Sequence, residues 1–338
     1  MVKAVFGRLA TAVSALFGAS ILSFVLLRLA PGDPVGLILG PFATEDAKVR
    51  LADELGIHQP VFVQYWHYIM NLAQGNWGYS FSTGLSVFDL FLSRLPASLE
   101  LSFFALVFAL AFASLLALVK TYFVNGWIKK AVDAVCFIGY SVPQFWLGLL
   151  LLTAFSGTWG LFPGPEGRLS PGTDLPPGMT GFLTIDALWV GQFSTFADAL
   201  WHLVLPSFTL GLFTMAFLAR ILQVNLEKAQ QQLFVRMSMS RGLSRWGALI
   251  RHSWPNALVT SSTAAGVVAG IIITGSALVE KTFAWPGIGS LVTEGVQKQD
   301  FAVVQAFILV SAVVFVTVNL LVDLWATRID PRLRRLSL

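Results

Sequence analysis

Six stretches of this chain stay apolar long enough to cross a lipid bilayer: Leu9–Ala30, Ala97–Val119, Val132–Phe155, Trp201–Ala219, Leu258–Val279 and Phe301–Ala326. A helix rises about 1.5 Å per residue, so roughly 20 residues traverse a hydrocarbon layer about 30 Å thick. Of the 338 residues, 56% are hydrophobic and only 12% charged, and the mean hydropathy is +0.73. A soluble domain carries about twice that charged fraction. The expected fold is therefore an all-α polytopic membrane protein with six transmembrane helices. Lys3 and Arg8 before the first stretch resemble a signal peptide. Its apolar run is too long for one, and Pro31-Gly32-Asp33-Pro34 follows in place of a small-residue cleavage site, so the segment reads as retained.

The basic residues set the orientation. With both termini cytoplasmic, the inner side holds fifteen of the 22 lysines and arginines, among them Lys120, Lys129, Lys130, Arg220, Arg236, Arg241, Arg245, Arg251, Arg332, Arg334 and Arg335. Only Asp133, Glu227, Asp323 and Asp330 among the acids lie with them. That asymmetry gives an N-in, C-in topology. The same bias accounts for the isoelectric point near 9.3 without nucleic acid.

Two outer segments are long. In the first, Thr44 can cap a helix, with Glu45 and Asp46 in its first turn and Gly56 as its stop; Pro60 then opens an amphipathic stretch with Phe62, Trp66, Ile69 and Met70 or Leu72 at helical spacing. That stretch is expected on the membrane surface or on the bundle. The second, Ser156 to Leu200, is rich in Pro and Gly from Pro163 to Gly181 and turns helical near Asp186–Trp189.

Little in the spans suggests chemistry. The single cysteine, Cys136, lies in an apolar stretch and reads as a buried structural thiol. His202, Asp323, Arg28, Glu100 and Glu280 are the ionisable groups near membrane depth, where a charge is expensive; structural roles are the first reading for all five. Gly266 and Gly270, extended by Thr274, form a small-residue stripe that lets another helix approach, either as plain packing or as the wall of a moving pathway. Pro143, after Gly139, should kink the third span. The sequence has no phosphate-binding loop, no paired cysteine ligands, and four scattered histidines. Neither catalysis, nor a cofactor, nor a metal site is expected. Energy for uphill transport would have to come from an ion gradient or a partner that hydrolyses ATP. Central charges for a proton relay are few.

Between the fourth and fifth spans lies a basic connection, read as a loop from Arg220 to Ala257, with Glu227 its one acid. Ser238 and Ser240 lead to Gly242, which can end a short helix, and Leu243-Ser244-Arg245-Trp246 can begin another with Ser244 as its cap. Two short helices at a bend make a projecting knob, a shape suited to a groove on a soluble partner.

This segment resembles the EAA loop of ABC-importer permeases: Glu-Ala-Ala, three residues, Gly, nine residues, then Ile-x-Leu-Pro. Gly242 and Pro255 fall at the matching positions, with His252 and Trp254 where Ile and Leu would stand. Leu233-Phe-Val-Arg-Met-Ser-Met-Ser-Arg-Gly-Leu-Ser244 and Arg251-His-Ser-Trp-Pro-Asn-Ala-Leu258 are most similar to the form found in the dipeptide, oligopeptide and nickel permease family. Further signatures follow in that family's order. They are Leu29-Ala-Pro-Gly-Asp-Pro34, Glu54-Leu-Gly-Ile-His-Gln-Pro60, Gly75-Asn-Trp-Gly-Tyr-Ser80, Arg94-Leu-Pro-Ala-Ser-Leu-Glu-Leu101, Ser141-Val-Pro-Gln-Phe145, His202-Leu-Val-Leu-Pro206, Glu280-Lys-Thr-Phe-Ala-Trp-Pro-Gly-Ile-Gly289, Asn319-Leu-Leu-Val-Asp323 and Asp330-Pro-Arg-Leu-Arg334.

The resemblance implies the transmembrane domain of a type I ABC importer in a bacterial inner membrane: residues 1–96 as a first helix plus external loop, 97–330 as the permease core with a coupling loop at 220–257, and 331–338 as a cytoplasmic tail. It implies a similar second permease, two ATP-binding subunits docked on the coupling loops, and an external substrate-binding protein. It carries Arg236, Ser238, Arg241, Gly242, Leu243 and Pro255 into the ATPase-coupling site. Gly266, Gly270, Thr274, Trp285, Pro286 and Gly287 become candidates for the pathway or outer gate. For Trp285 an interfacial anchor is the alternative. Di- and oligopeptides are the expected substrates, nickel complexes or another small solute the alternative. A secondary transporter or a structural scaffold fits the loop less well. Leu233 stands where the family has an acid, and Met237, Ser238, Met239 and Ser240 replace its alanine-rich face, which bears on the choice of ATPase partner.

Overall fold

A computed structural model describes residues 2–29, 44, 46, 49–50, 59–123 and 125–329, and in the outermost helices the side chains of 10–25, 301–322 and 324. Among these residues the regular structure is helical. Val2–Leu29 forms α1 and Val61–Ala73 forms α2, which starts behind Pro60 as the sequence predicts. The long helix α3, Val87–Tyr122, is capped by Ser86, whose Oγ accepts from the Asp89 N–H at 3.5 Å. Then come α4, Gly126–Ser141, and α5, Gln144–Leu151, which continues as a wider π-helical turn to Thr158. The expected short helix in the second outer segment is α6, Leu183–Val190. Phe193–Gln230 is α7, Leu233–Ser240 α8, Arg245–Ala248 α9, and after a π-helical turn Trp254–Thr274 is α10. The chain closes with α11, Ala277–Thr282, α12, Ile288–Gln297, and α13, Phe301–Ile329.

Several boundaries differ from the hydropathy reading, each for a physical reason. The third apolar stretch is broken, not kinked: α4 and α5 meet at 106°. Pro143 has no N–H to continue the ladder, and it forces Val142 into an extended conformation (φ −89°, ψ 123°). The fourth helix outruns its apolar segment at both ends. Residues 220–230 stay helical because Leu222, Leu226 and Ala229 remain buried against neighbours. The connection read as Arg220–Ala257 is thus shorter, and its knob projects from the end of a rigid helix. The fifth helix stops at Thr274, before Val279, and α11 is separate. The expected division after Pro96 falls inside α3. Glu45, Gly56, the stretches 30–34 and 54–58, Asp330 and the tail, and the side chains of Arg28, Leu29 and Asp323, all singled out in the sequence, lie outside the described residues; Thr44 and Asp46 are described singly.

Among the described residues α3, α7 and Phe301–Val322 are each long and apolar enough to cross a membrane, and the bent segments Gly126–Thr158 and Arg245–Thr274 add two more if each counts as one span. Ala10–Val25 of α1 is apolar but shorter. The core is the packing of α3 on α7. Ala97, Leu101, Ala105, Ala109, Ala113 and Ala117 recur every four residues on one face of α3, and all are buried. A Cβ added at Gly211 of α7 would lie 2.8 Å from the Ala105 carbonyl oxygen, so small side chains bring the two backbones close. Gly139 does the same for α4, where an added Cβ would lie 2.8 Å from Ala216 Cβ. α2 lies on α1: Ser20 pairs with the Tyr65 hydroxyl at 2.7 Å and Ser23 with that of Tyr68 at 3.3 Å. Burial pushes the Tyr68 phenol above its ordinary pKa.

Buried acids fasten the outer segments. Asp300 accepts from Ser80 Oγ at 2.6 Å, and Asp186 from Thr180 Oγ1 at 2.7 Å. Glu100 accepts from the N–H and Oγ1 of Thr184 and from Arg168 at 2.5 Å. His202 places Nδ1 2.9 Å from the Asp198 carbonyl oxygen.

Gly266 and Gly270 are both buried against α13. A Cβ at Gly266 would strike Val322, and one at Gly270 would lie 2.6 Å from Phe315 Cδ2. Gly270→Leu should therefore destabilise the protein by about 1–3 kcal/mol, the usual range for overpacking. Gly18→Leu, at a position with nothing within 4 Å, should be neutral. Thermal unfolding of both variants in detergent checks this.

Candidate functional site

Two neighbourhoods hold the candidate residues. At one end of the bundle, α8 and α9 form a bent knob whose corner is Gly242. The Leu243 N–H donates to the Ser238 carbonyl at 3.2 Å and the Gly242 N–H to that of Met239 at 3.0 Å, the paired bonds of a Schellman helix end. That motif needs a left-handed residue at its corner, and Gly242 has φ +93°. Ser244 then caps α9, its Oγ accepting from the Gly247 N–H at 3.1 Å. Ser238 Oγ donates to the Val235 carbonyl at 2.7 Å.

The outer face of the knob is open. Leu233 is 74% exposed, and Phe234, Met237, Met239, Arg236 and Arg241 are exposed around it, while Val235 alone in α8 is buried. Leu243 is half-buried. Exposed apolar side chains ringed by arginines on a short helix suit a partner's groove. The inner face is anchored. Arg245 donates to the Thr121 carbonyl at 3.3 Å, and its guanidinium carbon lies 5.9 Å from the Tyr122 ring centroid. Trp246 meets the same ring edge-on at 5.2 Å. The knob is thereby tied to the end of α3 as well as to α7. Nearby, Lys120 pairs with Asp133 and donates to Gln223 Oε1 at 3.0 Å. Pro255, in the first turn of α10, lines an apolar cavity of about 510 Å³ with Leu110, Leu218 and Leu222.

The second neighbourhood lies at the opposite end and centres on Glu280, which has no exposure. Its carboxylate accepts from Ser98 Oγ at 2.7 Å, Ser276 Oγ at 2.7 Å and the Ser290 N–H at 2.9 Å. The Ile288 N–H donates to Ser98 Oγ at 2.8 Å. Gly287 and Gly289 are needed at this spot: a Cβ at Gly287 would strike Ser98 and Glu280, and one at Gly289 would lie 2.5 Å from Ala277 Cα. Trp285 is 1% exposed and its indole N–H donates to the Ala97 carbonyl at 2.9 Å. It is therefore no interfacial anchor, because its polar edge finds a partner inside the protein. Arg168 lies 5.9 Å above its ring. Pro286 is exposed. Thr274 donates to the Gly270 carbonyl at 3.2 Å.

The candidates thus divide. Of the six coupling candidates five lie on the knob and Pro255 in the first turn of α10, Gly266 and Gly270 belong to the α10–α13 contact, and Trp285 and Gly287 join the Glu280 knot. The anchors Arg245, Trp246 and Tyr122 escaped the sequence reading. The distance along the chain from Tyr122 hides the pairing, although a basic and aromatic pair beside a cap was visible at Ser244.

Comparisons with known proteins place the chain in a family. Residues 109–335 match the profile of the binding-protein-dependent transport system inner membrane component family, and residues 1–102 match its N-terminal membrane component. The chain is 36% identical to a probable D,D-dipeptide transport system permease protein of Escherichia coli (strain K12), over 94% of this chain and 93% of that one. It is also 36% identical to a di/tripeptide transport system permease protein of Pseudomonas aeruginosa (strain UCBPP-PA14), over 97% of each. In fold it is similar to a chain in the crystal structure of an amino acid ABC transporter with histidines, at a TM-score of 0.50 and 17% identity, covering 71% of this chain and 94% of that one.

Proposed function

The chain belongs to the family of binding-protein-dependent transport system inner membrane components, and from that membership we propose that it is one permease subunit of an ATP-driven importer of dipeptides and oligopeptides. Six crossings with both termini inside is the topology that the apolar stretches and the distribution of Lys and Arg support. A second permease completes the pathway, an external binding protein delivers the peptide, and two ATP-binding subunits grip the knobs. ATP hydrolysis belongs to those partners.

The observation that carries this reading is the anchored knob at Gly242. Its exposed Leu233, Phe234, Met237 and Met239 would fill a groove on the ATPase, with Arg236 and Arg241 making charge-assisted hydrogen bonds at the rim. Leu243 and Ser238 hold the bend, and Pro255 fixes the start of α10. Closure of the ATPase pair can favour an outward-facing state only if it moves the knob and the knob moves the spans. The Arg245 link to Thr121 and Tyr122 supplies that second connection.

The test is reconstitution of the whole importer in liposomes. Uptake of a labelled dipeptide should require ATP, the binding protein and both permeases; uptake by this chain alone, without ATP, would sink the proposal. Tyr122→Ala should lower uptake about three- to tenfold while binding-protein-stimulated ATP hydrolysis continues. A cation–π contact and an aromatic pair together contribute about 1–2 kcal/mol, enough for a change of that size.

A further inference from the structure

The break between α4 and α5 opens a cavity that neither the coupling knob nor the Glu280 knot uses. It measures about 450 Å³ and is lined by Tyr140, Ser141 and Gln144 on one side and by Phe213, Ile271 and Gly275 on the other. That volume falls within the range of small-molecule sites. α4 is 16 residues long, so the break stands about 24 Å along that helix from Gly126, less than the thickness of a hydrocarbon layer of about 30 Å. At that depth, irregular backbone is tolerated only when covered by protein or facing water. Here it is uncovered: Ser141 and Pro143 are exposed.

The polar groups at the break are also unengaged. Among the described residues no hydrogen bond is made by the Tyr140 hydroxyl, the Ser141 hydroxyl or the Gln144 side-chain amide. The first N–H of α5 to find a helical acceptor is that of Leu147, which donates to the Pro143 carbonyl at 3.0 Å. The N–H groups before it add an electropositive end to the same wall. Across the cavity α10 terminates at Gly275, which brings a helix C-terminus, the electronegative end, to the opposite wall. Phe213 and Ile271 line the space between with apolar surface. The Ile271 and Ile273 carbonyls at the end of α10 already accept from the Gly275 N–H at 2.8 Å and the Ser276 hydroxyl at 3.3 Å, so that wall acts through the helix dipole. Lipid tails answer neither the free polar groups of the first wall nor this dipole, whereas a short chain with a carboxylate at one end and an ammonium at the other suits both.

We infer that this cavity is a transit subsite for the zwitterionic main chain of a short peptide, its carboxylate held by Ser141 and Gln144 and its ammonium turned towards the end of α10 at Gly275. The inference rests on the importer reading above and deepens it. Side-chain selectivity would be low, because the walls offer hydrophobic surface without further charge.

The test uses the complete importer in liposomes with its binding protein and ATP. This chain's one cysteine is removed by Cys136→Ala, and Ser141→Cys, at an exposed position, is labelled with a charged methanethiosulfonate and read on this chain after its separation from the partners. Dialanine should slow labelling at least fivefold, and dialanine amide, which lacks the carboxylate, should not. Gln144→Leu should lower dialanine uptake at least tenfold with stimulated ATP hydrolysis retained within twofold. If the unmodified importer takes up dialanine but labelling is unprotected and Gln144→Leu transports normally, the subsite is overturned and the importer reading stands. If the unmodified importer takes up no dipeptide, the peptide reading fails and the subsite with it.

Discussion

Gly242→Val is expected to reduce peptide uptake to below about a tenth of the normal rate while the chain still inserts into the membrane. The space around Gly242 is open, with nothing within 4 Å of an added Cβ, so no clash is involved. The backbone is what resists: φ is +93°, and an L-residue held in the left-handed region costs about 1–2 kcal/mol, more when β-branched. A shift of 1.4 kcal/mol is tenfold in population. The cheapest relief is to lose the paired bonds from Leu243 to Ser238 and from Gly242 to Met239, which re-aims α8 relative to α9. Gly242→Asn, which tolerates this conformation, should retain most uptake. Parallel measurement of membrane level, ATP hydrolysis and uptake decides the matter: normal uptake by the valine variant would remove the knob from coupling.

Glu280→Ala should have the largest effect on folding. The carboxylate satisfies Ser98, Ser276 and the Ser290 N–H inside a site with no exposure, and each donor left unpaired costs about 1–3 kcal/mol. Breaking the knot also removes the support of the Ser98 hydroxyl that receives the Ile288 N–H. The total, about 3–5 kcal/mol, is a large part of the net stability of an ordinary domain. The variant is expected to be degraded or to elute as aggregate in detergent size-exclusion chromatography. Glu280→Gln keeps one acceptor but aims an NH₂ group at existing donors, so an intermediate melting temperature is expected. A native-like melting curve for the alanine variant would contradict the energetic role of the knot.

The contrast between these two sites shows what a sequence can disclose. The knob is local: its caps, its glycine and its exposed face follow from consecutive residues, and Ser244 and Gly242 behave as their types require. Membrane stretches are equally local, because hydropathy is a property of a window. Helix ends were less readable, since apolarity marks the bilayer while helicity continues through Leu222 and Leu226 to Gln230 on the strength of packing. Pro143 was visible as an interruption, yet the 106° turn depends on what neighbours fill the corner. The Glu280 knot joins Ser98 to positions 182 and 190 residues away, and no spacing rule reaches that far. The alanine stripe of α3 is legible at a period of four, a local pattern like the caps of the knob.

That stripe has a mechanical consequence. Alanine surrenders no rotamer freedom on packing and offers no long side chain that could slide or re-pack, so α3 and α7 behave as one stiff mast. The knob leaves the mast at Gln230 and is bolted back to it at Thr121 by Arg245, which closes a loop with no slack arm. Under the proposed coupling, a push on the knob would act on both helices of the mast at once, through Gln230 and through Thr121.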